Sequence, residues 1–224
     1  MFDNIGKIKI NKNVPYDEQI IQIENQVLDE LGSDFRGTLS FDTLTPEQAK
    51  ELGDAIIQFH KDFPKIFEKI SLLGTRTGIR KHNKDFSEKR NIKYGFCDRT
   101  DLDNIEIGIE DYINIGGNNY INGQKINIDF SLRGVINHEL SHILYKAFLI
   151  EHFIDFTSKY VFKLNDFYKE NKDKLSNRAI DNINEFHSEC IASYYAKENI
   201  EFAKEVFKNT KKAYNKFIKS GGKI

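Results

Sequence analysis

The sequence predicts an α+β chain, with helices first, then a small mixed sheet, then helices to the end. Three observations predict it. Apolar residues recur at helical spacing up to Gly74. From Thr75 the stretches "NIKYGFCD" and "NIEIGIEDYINIGG" alternate apolar and other residues, as strands do. After Ser131 the helical period returns and holds to the end of the sequence. The chain thus reads as a mainly helical N-terminal region, residues 1–74, and a second region, residues 75–224, that forms one compact unit.

Each element has a local reason. "NVPYDEQIIQIENQVLDELG" reads as a helix because Ile20, Ile21, Ile23, Val27, Leu28 and Leu31 fall near helical spacing, and Gly32 can stop it. "GTLSFDTL" follows as a short strand. "TPEQAKELGDAIIQFHKDF" is a second helix, with Thr45 as N-cap, Pro46 at the first helical position and Glu47 in the first turn. Pro64 interrupts, and "KIFEKISLLG" is expected to form a shorter helix ending at Gly74. In the sheet region, Gly-Gly and Asn-Gly within "GGNNYINGQ" demand a turn, and "KINIDF" is a further strand. Helices are expected over residues 132–150, 152–170, 174–198 and 200–219.

Bulk properties narrow the function classes. The 224 residues carry a formal net charge of -1, so overall charge selects neither nucleic acid nor a membrane as partner. Cys97 and Cys190 alone cannot build a disulfide framework or a four-cysteine metal site. The first residues show no signal-peptide pattern, and no apolar run reaches membrane-spanning length. A soluble, cytoplasmic chain without a membrane partner is expected.

The chemistry concentrates in "GVINHELSHILYKAF", which holds His138, Glu139 and His142 as H-E-x-x-H. Residues four apart lie on one helical face, so His138 and His142 present two imidazoles to one point. Two imidazoles suit one Zn²⁺, and Glu139 is placed to act as general base and acid on a water there. Chance would produce this pattern in roughly one chain of this length in a hundred. The apolar flanks Val135, Ile136, Leu140, Ile143 and Leu144 also make partnerless histidines costly here. A catalytic site needs a third protein ligand. A histidine six residues after His142 would supply it in a metzincin, but that position is Phe148, and Tyr145 stands where the pattern needs glycine. A carboxylate on a later helix is the alternative, and "NEFHSECIASYYAK" offers Glu185 and Glu189 on one face.

The pairing of "GVINHELSHIL" with "NINEFHSECIA" resembles gluzincin metallopeptidases of the anthrax lethal-factor type and is similar to the clostridial proline-proline endopeptidases. The resemblance spans roughly residues 75–200. It implies a zincin-like catalytic domain: a small mixed sheet with an edge strand, the motif helix and C-terminal helices, preceded here by N-terminal helices. It also implies that Glu185 is the third zinc ligand and that Glu189 orients a zinc-bound histidine. Ile113, Asn114, Ile115, Gly116 and Gly117 would form the edge strand that pairs with substrate backbone. The family places a tyrosine seven residues before the ligand glutamate; this chain has Arg178 there, which can stabilise an oxyanion by charge.

Other polar residues read more plainly. His187 lies about 200° around the helix from Glu185 and should face away from a metal. Cys190 reads as a small buried hydrophobe, and His60, His82 and His152 are isolated. The basic C-terminal stretch, with Phe207, Tyr214 and Phe217 interleaved, has the makings of a surface for nucleic acid or an acidic partner, but reads more readily as an amphipathic helix with a solvated lysine face. The functional expectation is a one-zinc endopeptidase acting on a protein or peptide. Its alternative is a catalytically weak metal-binding structural or interaction protein, for example a phage or mobile-element component.

Overall fold

A computed structural model of the protein describes residues 8–82, 95–98, 104–109, 120–121, 124–125 and 131–224. The chain forms two units, Met1–Ile113 and Asn114–Ile224.

In the first unit, α1 (Tyr16–Leu31) buries Ile20, Ile23, Val27 and Leu31, a single stripe at helical spacing. Ile21 and Leu28 fall off that stripe and are exposed. α1 packs on α2 (Pro46–Asp62). The approach is close at Gly53, where a Cβ would come within 2.7 Å of Val27 Cγ2. α2 starts at Thr45, whose side chain accepts a hydrogen bond from Gln48 N while Gln48 Oε1 accepts from Thr45 N.

Strand β1 (Thr38–Ser40) pairs parallel with β2 (Ile70–Thr75). The helix α3 (Arg76–His82) follows β2 directly. β3 (Gly95–Asp98) pairs antiparallel with β4 (Ile105–Ile109), which is itself parallel to β2. The strand order is β1-β2-β4-β3, three parallel strands and one antiparallel edge strand. Gly74 has φ +151, and a Cβ there would run into the carbonyl of Ser40, its register partner in β1.

Two expectations fail in this unit. The short helix ending at Gly74 does not form: Pro64–Lys69 is a 3-10 turn, and Ile70–Thr75 is the strand β2. A short apolar run fits a strand flanked on both sides as well as it fits a helix, and β2 lies between β1 and β4. The stretch after Thr75 then begins as a helix. Thr75 Oγ1 accepts from Gly78 N at 3.2 Å while donating to Asp42 O at 2.7 Å, which caps the turn.

In the second unit, β5 (Tyr120–Ile121) and β6 (Gln124–Lys125) pair antiparallel and bracket the Asn-Gly of the expected turn. The expected edge strand Ile113–Gly117, and the continuation of "KINIDF" past Lys125, lie outside the described residues. α4 (Leu132–Ile143) starts at Ser131, whose Oγ accepts from Gly134 N at 3.1 Å. The helix then widens into a π-helical turn over Leu144–Ile150, marked by Glu151 N donating to Lys146 O. A second π-helical stretch, Phe153–Thr157, leads into α5 (Ser158–Asn171).

The helix expected over residues 174–198 is broken in two. α6 (Asn177–Asp181) ends at Asn182, which is fully extended at φ -166, and α7 (Ile183–Tyr195) begins there. Asn182 Oδ1 accepts from both Asn184 N and Glu185 N at 3.0 Å, so its preference for capping overrides helix continuation. α8 (Glu201–Lys219) buries Ala203, Val206, Phe207, Thr210, Ala213, Tyr214 and Phe217. Tyr214 and Phe217 close on Phe148, with ring centroids 5.6 and 5.4 Å away. Burial of each such ring contributes about 2–3 kcal/mol. The architecture is α+β, and among the described residues no helix is long and apolar enough to cross a membrane.

Candidate metal centre

α4 packs on α7, and the polar residues of both helices meet between them. From Gly134 to Ile143 every residue of α4 is buried, including Asn137, His138, Glu139, Ser141 and His142. Placing two imidazoles and a carboxylate in such surroundings costs several kcal/mol unless they are partnered. Their partners come from the first turns of α7, which the Asn182 cap fixes in place.

Glu185 reaches both imidazoles. Its Oε2 lies 3.2 Å from His138 Nε2, and its Oε1 lies 3.4 Å from His142 Nε2. One ligand atom from each of the three residues falls within 4.8 Å of the others. Tetrahedral ligands about 2.0–2.1 Å from a Zn²⁺ stand about 3.3 Å from one another. The two imidazole–carboxylate separations lie close to that spacing, each to a different Glu185 oxygen, and two imidazoles with a carboxylate are donor types that suit zinc. Glu139 stands beside the cluster, with Oε2 4.0 Å from His142 Nε2.

The far side of each ring is held as well. His138 Nδ1 lies 3.0 Å from Glu189 Oε1, although the two are out of line for a hydrogen bond, so both buried atoms remain unsatisfied. His142 Nδ1 lies 3.0 Å from Asn184 Oδ1 and 3.0 Å from Ser188 Oγ. A proton on Nδ1, donated to these oxygens, leaves the Nε2 lone pair facing Glu185.

Charge follows the same geometry. Burial disfavours the His138 imidazolium, but Glu185 and Glu189 outweigh it and raise its pKa from 6.5 to about 10. Burial likewise opposes the Glu185 carboxylate, yet His138, His142 and Arg178 hold it well below the usual carboxylate range. The metal-free cluster therefore keeps a proton on His138 and a negative charge on Glu185.

The structure brings His138, Glu139, His142, Glu185, Glu189 and Arg178 into one cluster. Arg178, on α6, is partly exposed, and its Nε lies 3.8 Å from Glu185 Oε2. The sequence reading missed Asn184 and Ser188. Their signal was available, since they share one face of α7 at i and i+4, one step before Glu185 and Glu189. His187 turns away, its Nε2 3.2 Å from Thr210 Oγ1, and burial, with His138 nearby, lowers its pKa to about 3. Burial raises the Cys190 thiol well above its ordinary range, which leaves it an inert core residue. His60 is also structural, lying 3.2 Å from Asp34 and edge-on to Phe67.

Asn184→Ala is expected to weaken metal affinity roughly 10–100-fold without changing which residues bind, because it removes a partner that aims His142. Competition with a chromogenic chelator measures this; unchanged affinity would show that Ser188 alone suffices. No family model, curated protein or solved structure matches the chain.

Proposed function

We propose that the chain is a zinc-dependent endopeptidase of gluzincin type, on a zincin-like fold, with one Zn²⁺ held by His138, His142 and Glu185. The observation that carries this reading is the meeting of both imidazole Nε2 atoms on the Glu185 carboxylate, with Glu139 beside them. When bound, zinc supplies a Lewis acid that makes water nucleophilic at neutral pH and polarises a carbonyl. Glu139 takes the proton of the attacking water and returns it to the leaving amine. Asn184 with Ser188 keeps His142 in the tautomer that offers Nε2, and Glu189 sets a carboxylate 3.0 Å from His138 Nδ1. Arg178 supplies positive charge at the cluster's exposed side, where an oxyanion forms during acyl transfer.

The alternative, a metal-binding structural or interaction protein with little turnover, is favoured by Arg178, which neutralises Glu185 where the resembled family carries a tyrosine. A peptide library separates the two. The endopeptidase reading expects reproducible internal cuts that stop on chelation and return with zinc. A zinc-loaded protein that leaves the library intact would instead support the alternative.

A further inference from the structure

The C-terminal half of α8 carries a second feature that the metal centre does not use. From Lys208 to Ile224 there are six lysines and no acidic residue. Five of them, Lys208, Lys211, Lys212, Lys216 and Lys219, line one open groove of about 660 Å³. Favourable charge at a helix C-terminus accounts for Lys216 and Lys219, in the last turn. It does not account for Lys208, Lys211 and Lys212, which lie about one to two turns before Lys216.

Elsewhere on α8 charge is paired. Glu205 meets Lys163 at 2.7 Å and Glu201 meets Lys204 at 2.8 Å. Among the described residues no close ion pair is seen for Lys208, Lys212, Lys216 or Lys219, although Lys208 acts at longer range on Glu201 and Lys216 Nζ sits 5.5 Å from the Phe156 ring centroid. Four like charges gathered along one groove repel one another, and that repulsion is relieved when an anionic chain lies among them.

The floor of the groove decides what kind of anion fits. Tyr194 and Phe207 stack there, with centroids 3.6 Å apart and planes 10° apart. Lys211 Nζ sits 5.9 Å from the Phe207 centroid. Phe207 is buried and Tyr194, half-buried, has one face taken up by Phe207, so the groove offers at most one open ring face rather than a row of rings on which successive bases could stack. No arginine lines the groove, so it lacks the planar fork that pairs with phosphate in two places. An apolar floor rimmed by point charges instead suits carboxylates spaced among apolar side chains.

We infer that this groove docks an acidic segment of a polypeptide, one that carries Asp or Glu around an apolar residue. On the peptidase reading, that polypeptide is the substrate, held away from its scissile bond. Glu185 opens α7 and Tyr194 nearly closes it, nine positions later. That is about 14 Å along the helix, the length of about four extended residues.

The probe is a fluorescein-labelled Glu-rich peptide containing one Phe, followed by fluorescence anisotropy on the full chain. The wild type is expected to bind it with an affinity that falls as salt rises. The Lys208→Gln/Lys212→Gln/Lys216→Gln variant is expected to bind at least about tenfold more weakly at unchanged melting temperature. Glu139→Gln is expected to bind like the wild type, which separates docking from catalysis. Amine-directed cross-linking of the bound peptide to the wild type should mark Lys208, Lys212 or Lys216, and it stands whether or not the triple variant folds. Absence of binding, cross-links confined to other lysines, equal binding by a folded triple variant, or tighter binding of an oligothymidylate or phosphatidylserine vesicles would each overturn the inference. If docking holds while library cleavage fails, the groove stands and the peptidase reading falls.

Discussion

Glu139→Gln should bind zinc at the wild-type stoichiometry and lose hydrolysis by roughly a hundredfold to ten-thousandfold, the range a positioned general base supplies. The substitution keeps the size of the side chain but removes its negative charge and its ability to take a proton. Glu139 lies 4.0 Å from His142 Nε2, and the proposed ligand set of His138, His142 and Glu185 does not include it. A buried amide also costs less to bury than a carboxylate, so the variant is expected to fold. Zinc content by elemental analysis, thermal melting and turnover on a cleaved library peptide test the three parts of this result. Loss of zinc in Glu139→Gln would move Glu139 into the ligand set. Retained zinc with retained turnover would remove it from the proton-transfer role.

What the sequence could show depended on how far apart the deciding residues lie. The start of α2 was legible to the residue because its signals are local: Thr45 caps and Pro46 takes the first helical position. β2 was not, because the same six residues become a strand only through pairing with β1 and β4, more than 30 positions away on each side. The break at Asn182 was available in principle, since an asparagine ahead of Asn184 and Glu185 is a strong cap. The π-helical turn at Leu144–Ile150 was not, because "LYKAFLI" holds no glycine or proline to mark a change of register.

The site followed the same rule. His138, Glu139 and His142 are one helical turn apart and announce themselves. Glu185 lies 47 residues from His138 and could be proposed from spacing only once a resemblance was added. The residues that aim His142 fell between these cases. Asn184 and Ser188 flank a carboxylate pair that had already been noticed, yet their role shows only when α7 is seen against α4.

Zinc uptake should carry a proton signature that Glu185→Ala abolishes along with the metal. In the metal-free protein His138 is held protonated up to about pH 10, because Glu185 and Glu189 together outweigh the penalty of burial. Zinc needs that ring neutral, so binding near pH 8 must expel roughly one proton, whereas an ordinary imidazole of pKa 6.5 would have almost none to give. Apparent affinity should therefore rise with pH above neutrality. The stability of the metal-free protein has the opposite sign. A pKa raised on folding contributes fully below 6.5 and is lost as pH climbs toward 10, so the apo protein should melt lower across that window. The zinc-loaded protein, with His138 already neutral, should lack that loss. Glu185→Ala removes both a ligand and the partner that retains the proton. Its affinity should fall more than about a hundredfold, the loss expected for an outer partner being the smaller one. Calorimetric titration in two buffers of different ionisation enthalpy counts the protons, and melting curves of apo and loaded protein across the same pH range follow the stability. A pH-independent affinity would mean that His138 is already neutral, and hence that Glu185 and Glu189 do not act on it as their positions require.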